Sequence, residues 1–183
     1  MSKIIVPIIA VILVVGGVFA LRSYQSVVKE NTQAATYKDA TYVIDGKSVH
    51  LFDGVAESPV APNSAAKVIT RYFGNPVFTD LDGNGTEDVV FLLTQEVGGS
   101  GTFFYAVAAL KMQGGYLGSH AFFLGDRIAP QTTELSKNPA HKNTVVVNYA
   151  DRGPGEPMTA RPSMGKSVWL NVDVQSMTLR SVE

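Results

Sequence analysis

The chain has 183 residues, 45% of them hydrophobic, which suffices for one domain with a core of its own and some chain to spare. With 15 Lys and Arg against 16 Asp and Glu, it offers no basic face to nucleic acid and no acidic tail. It contains no cysteine, which excludes disulfides, thiolate zinc sites, cysteine nucleophiles and a lipid-modified cysteine, without fixing a redox compartment.

Residues 4–21 carry no charge and lie between Lys3 and Arg22. As a helix they would be about 27 Å long, close to the roughly 30 Å hydrocarbon core of a bilayer. Pro7 falls near the start, where a helix tolerates it. The expectation is a single-pass transmembrane helix in residues 1–23 that anchors the protein in the cell membrane. The alternative is a signal peptide, against which stand the length of the run and the poor cleavage site Val18-Phe19-Ala20. Charge does not orient the anchor, since Lys3 stands on one side and Arg22 and Lys29 on the other. Residues 24–39 are polar, show no heptads and read as a tether. Residues 40–183 read as a β-rich domain, placed outside the cytoplasm on the strength of the acidic loop described below.

The domain is expected to begin near Ala40. Residues 41–44 and 47–52 form a β-hairpin on the two-residue turn Asp45-Gly46, and Asp53-Gly54 makes a second turn. Pro59, Pro62, Asn63 and Ser64 mark a loop. Residues 67–73 alternate as a strand, Val68, Thr70 and Tyr72 on one side and Ile69 and Phe73 on the other. A short helix across residues 64–72 is the competing assignment, and Gly74-Asn75-Pro76 is expected to stop either. Residues 88–94 are almost continuously apolar, which implies a strand buried on both faces. After Gly98-Gly99-Ser100-Gly101 comes a long strand over 102–112. Residues 116–124 are expected to pair back onto it, and Gly125-Asp126-Arg127 to end that hairpin. Further strands are expected at 131–135, 143–149, 167–172 and 177–182, with an irregular Pro- and Gly-rich stretch over 151–164. The sum is a mainly β domain, an antiparallel sheet closed or stacked into a barrel or sandwich.

Between two apolar runs lies Asp80-Leu81-Asp82-Gly83-Asn84-Gly85-Thr86-Glu87-Asp88. Asp80, Asp82, Asn84 and Asp88 offer side-chain oxygens at the first, third, fifth and ninth places, and Thr86 offers its carbonyl at the seventh. That is a donor set for calcium, a hard cation that takes oxygen ligands. The loop resembles the D-x-D-x-[DN]-G-x-x-D calcium loops of integrin-type FG-GAP repeats, thrombospondin type 3 repeats and dockerins. It is also similar to the first nine places of an EF-hand loop, but Phe91 stands where that loop requires a bidentate glutamate. The resemblance implies a structural Ca2+ ion and, because the loop occurs once, no propeller of repeats. The bland alternative is a solvated turn whose carboxylates repel one another through water.

Most of residues 40–183 also resembles an uncharacterised family of bacterial envelope domains, some of whose members sit beside small β domains of the META type. The likeness is carried by the acidic loop, by Gly98-Gly99-Ser100-Gly101-Thr102-Phe103, by Leu124-Gly125-Asp126-Arg127 and by Val147-Asn148-Tyr149-Ala150-Asp151-Arg152 leading to Pro154-Gly155-Glu156-Pro157-Met158. It implies a secreted or anchored protein and brings no activity with it.

Other motifs say less. Residues 98–102 lack the Lys of a Walker loop and the closing Gly of a nucleophile elbow, and read as a flexible hairpin loop. Asp126-Arg127, Asp151-Arg152 and Glu156 are expected to tie loops together. His50, His120 and His141 share no ligand spacing, while Trp169, Tyr149 and residues 103–105 are expected to fill the core, with an aromatic sugar-binding face as the alternative. The expected function is a membrane-tethered extracytoplasmic binding or structural module of the envelope with a calcium-stabilised loop, bound to the membrane through residues 4–21, with an envelope protein or glycan as ligand. The alternatives are a hydrolase with its site at the loops of Gly98, Thr102, Asp126, Arg127, Asp151 and Glu156, or an inhibitor of cell-wall hydrolases.

Overall fold

A computed structural model describes residues 36–138 and 140–182; the apolar segment 4–21 and residues 24–35 of the expected tether lie outside the described residues. Among those described, no helix is long and apolar enough to cross a membrane. The described chain enters through a 3₁₀ turn (Tyr37–Asp39) and continues as strands β1 (Thr41–Ile44), β2 (Lys47–His50), β3 (Val55–Pro59), β4 (Lys67–Thr79), β5 (Asp88–Glu96) and β6 (Phe103–Met112). Then follow β7 (Gly115–Gly118), β8 (Phe122–Asp126), β9 (Ala129–Leu135), β10 (Val145–Asp151), β11 (Met164–Asp173) and β12 (Thr178–Ser181). Every strand-to-strand ladder is antiparallel.

One sheet runs β3-β4-β5-β6-β7, with β8 also paired to β6, and a second runs β12-β11-β10-β9. The hairpin β1-β2 joins β12 through a single residue, His120, which bridges Val43 and Thr178. The middle strands are apolar without a break over residues 89–93 of β5 and 103–110 of β6, so both of their faces need cover. Val90, Leu92, Phe104, Ala106, Ala108 and Leu110 pack against Val145, Val147, Leu170, Val172 and Leu179 of the second sheet. Val89, Phe91, Leu93, Tyr105, Val107 and Ala109 pack on the opposite side against Ala40, Tyr42, Ile44 and Leu51. At roughly 1.5–3 kcal/mol for each large apolar side chain removed from water, these two cores make β5 and β6 the most firmly held elements.

The Asp45-Gly46 and Asp53-Gly54 turns form as the sequence implies, all four residues at positive φ. Several expectations need correction. Packing begins before Ala40: Tyr37 lies against Phe91 and Tyr72, and the Lys38 carbonyl accepts the Gly54 amide, so residues 36–39 belong to the domain and not to a tether. Val55–Pro59, unassigned in the sequence apart from Pro59 as a loop marker, is a strand paired with β4. Gly74-Asn75-Pro76 does not end β4; the strand absorbs them as register shifts against β5 and continues to Thr79. The expected strand over 116–124 is broken into β7 and β8 by Ser119-His120-Ala121, whose backbone turns away to bond Val43 and Met177. No closed barrel forms among the described residues, since β3 and β9 end their sheets. Trp169 is not in the core. Leu170 and Val172 take the inward positions of β11, which leaves the indole on the outer face, 41% exposed.

Candidate functional site

The acidic loop links β4 to β5, and its first carboxylate organises it. Asp80 accepts the amides of Gly83 (2.7 Å), Asn84 (3.1 Å) and Gly85 (2.9 Å). The Gly85 amide first, then those of Gly83 and Asn84, hold the Asp80 carboxyl below its ordinary range. Gly85 sits at φ +84°, a conformation that lets the chain curl back on Asp80 and that a Cβ would disfavour. Asp82 accepts the Asn84 amide at 3.0 Å and its side-chain NH2 at 2.9 Å.

Asp88 plays a different part. It is fully buried, and its two oxygens accept the amides of Leu81 (2.8 Å) and Lys111 (2.7 Å), so one side chain clamps the loop to the far end of β6. Burial pushes its carboxyl up, opposed by those two amides. One oxygen from each of Asp80, Asp82 and Asp88 lies within 4.8 Å of the other two.

Two oxygens that both touch one calcium ion at about 2.4 Å stand at most about 4.8 Å apart. The spacing of the three carboxylates is therefore compatible with a single ion between them. Each carboxylate has about four lone-pair positions, and the amides leave some of them open on all three. Asn84 is turned elsewhere: its side-chain oxygen accepts the amide and the hydroxyl of Thr86, so it must rotate to serve as a ligand. A donor set of oxygens without nitrogen or sulfur suits calcium or magnesium better than zinc.

The loops proposed for a hydrolase do converge, and their polar groups bond one another. Thr102 donates its amide to Asp126 (3.0 Å) and accepts the Arg127 amide (2.7 Å), while Arg127 pairs with Asp126 at 2.9 Å. The Arg152 guanidinium donates to the carbonyls of Asp126, Arg127 and Ala160. Asp151 pairs with Lys166 at 2.7 Å, and Glu156 accepts the Gly153 amide instead of meeting an arginine. Lys166 beside Asp151 holds that carboxyl below its ordinary value. The arrangement ties loops together. The three histidines do not meet: His50 bonds Thr41, His120 joins two strands, and His141 lies near Trp169.

Sequence reasoning missed a cleft of about 510 Å3 between the β1-β2 hairpin and strands β3 to β5. Thr70 and Gln95 lie side by side on β4 and β5 at its lining; both are buried, and Gln95 Nε2 donates to Thr70 Oγ1 at 3.1 Å. Nothing local marked them, since Thr70 precedes Arg71 and Gln95 stands between Thr94 and Glu96.

Comparison with known protein families, with curated proteins and with solved structures finds no match for this chain.

Proposed function

We propose that the chain is a membrane-tethered module that stands outside the cytoplasm, a binding or structural domain of the cell envelope whose 80–88 loop is stiffened by calcium. The observation that carries the reading is the convergence of Asp80, Asp82 and Asp88 within 4.8 Å on an all-oxygen site. The apolar run over residues 4–21 supports the tether. Bound calcium would neutralise three carboxylates that otherwise repel. Through the Asp88 bonds to Leu81 and Lys111, the order so gained passes to the β4-β5 connection and to the end of β6.

The test is thermal unfolding of the full-length chain in detergent, with calcium and with chelator. A ligand at a hundred times its Kd stabilises by about 2.7 kcal/mol, which for a domain of this size is a rise of roughly 5–10 °C. Asp82→Ala should abolish the rise. Identical melting in excess calcium and in chelator would refute the calcium reading.

A further inference from the structure

We propose that the fork between β2 and β3 binds an extended peptide, which enters it as an added strand. The site stands apart from the acidic loop and needs no ion there. The register of the two strands is what carries the inference. Ile44 and Lys47 close the two-residue turn, and Leu51 donates its amide to Ala40, so Lys47, Val49 and Leu51 turn their backbone groups toward β1. Ser48 and His50 therefore turn theirs away from β1. Val43, opposite Ser48, behaves accordingly: its amide and carbonyl go outward, to Ser119 and Ala121.

β3 repeats the pattern. Tyr72 donates to Gly54 and Val60 donates to Ala66, so residues 56 and 58 bond β4 while Val55 and Glu57 face the other way. Phe52 and Val55 exchange both backbone bonds, which shows that the free edges of β2 and β3 point at each other. Beyond that one pair the strands separate, and the 510 Å3 cleft opens between them. Its walls are consecutive residues, Lys47–His50 on one side and 56–59 on the other, as expected where the lining is strand edge.

On the β2 wall Ser48 and His50 each turn an amide and a carbonyl to the cleft, and on the β3 wall Glu57 turns both while Pro59, which has no N–H, turns a carbonyl alone. On each wall these positions repeat every two residues, about 6.7 Å, the spacing of an extended polypeptide. Each wall is about 13 Å long, room for about four or five residues. The Thr70 hydroxyl and the Gln95 amide in the lining favour small polar side chains on the peptide's inward positions. Lys47 makes no ion pair among the described residues and stands at the cleft, which favours an acidic residue on an outward position.

The probe is a fluorescent peptide, acetyl-Thr-Val-Thr-Glu-Thr amide, titrated by anisotropy into the full-length chain in detergent, in chelator throughout. Saturable binding is expected, at least tenfold weaker for the peptide N-methylated at alternate residues, with slowed hydrogen exchange at Ser48, His50 and Glu57. Of the backbone hydrogen-bonding groups Ser48→Pro removes an outward amide alone and should weaken binding by a similar factor, whereas Ser48→Ala should not; because proline also fixes φ and restricts Lys47, melting of both variants reports whether they fold. Absence of saturable binding at millimolar peptide overturns the proposal, and so does equal binding of the N-methylated form. Because the titration excludes calcium, its result does not depend on the fate of the metal reading.

Discussion

Asp88 shows how one side chain can hold a loop to a strand that lies well beyond it in the chain. Its carboxylate is sealed from solvent and answers the buried amide of Leu81 and the part-buried amide of Lys111. A buried donor left without a partner costs about 1–3 kcal/mol, so Asp88→Ala should lose roughly 2–6 kcal/mol. Asp88→Asn keeps one accepting oxygen but turns an NH2 toward the second amide, and should lose about half as much. Urea unfolding in chelator measures both, and a loss below about 1 kcal/mol for the alanine variant would show that the clamp is unimportant. The sequence marks Asp88 as the ninth place of a loop motif, and that reading needs only local spacing. Its second role was illegible because Lys111 lies 23 residues away, and nothing in the motif announces a partner on another strand. Trp169 failed for a related reason: residue type favours the interior, but the alternation with Leu170 and Val172 decides the face.

At the scale of elements, local signals were read well where the hydrogen bonds are local. The Asp-Gly turns set the registers of β1 with β2 and of Phe52 with Val55, and the unbroken apolar run of β5 forecasts its two covered faces. The break between β7 and β8 was not readable, because Ser119-His120-Ala121 leaves its own sheet to bond Val43 and Met177, which come from opposite ends of the domain sequence. Gly118 makes the excursion possible. A Cβ there would lie 2.2 Å from the Thr41 carbonyl oxygen and 2.8 Å from the Tyr42 ring, so β1 approaches this strand as closely as bare backbone allows. Gly118→Ala should push β1 away and disturb the core around Tyr42. Overpacking of this kind costs about 1–3 kcal/mol. The expected readout is a lower denaturation midpoint together with faster hydrogen exchange at Val43 and Ala121, whose amides bond across this junction. Unchanged exchange there would mean that the junction absorbs a methyl group without parting.

On the scale of the whole molecule, the two proposals about place and metal constrain each other. The protein offers three carboxylates spaced for one ion and lacks the bidentate twelfth-place glutamate of an EF-hand, so the proposed site would draw on Asn84, Thr86 and water for the rest of its shell. Sites of that kind bind in the range of about 10⁻⁴–10⁻³ M, typical of extracellular modules. A loop of that affinity would fill outside a cell and stay empty against a cytosolic calcium level far lower. The proposed placement outside thus rests on the loop and the proposed tether on residues 4–21, and the two can be tested separately. In bacterial cells, the full chain should sediment with membranes and resist carbonate extraction, and deletion of residues 4–21 should release it. A phosphatase fused after Glu183, active only outside the cytoplasm, should be active in the full chain. A carbonate-soluble full chain removes the anchor. An inactive fusion on a membrane-bound chain instead keeps the anchor, reverses the orientation, and takes with it the calcium supply on which a loop of such affinity depends.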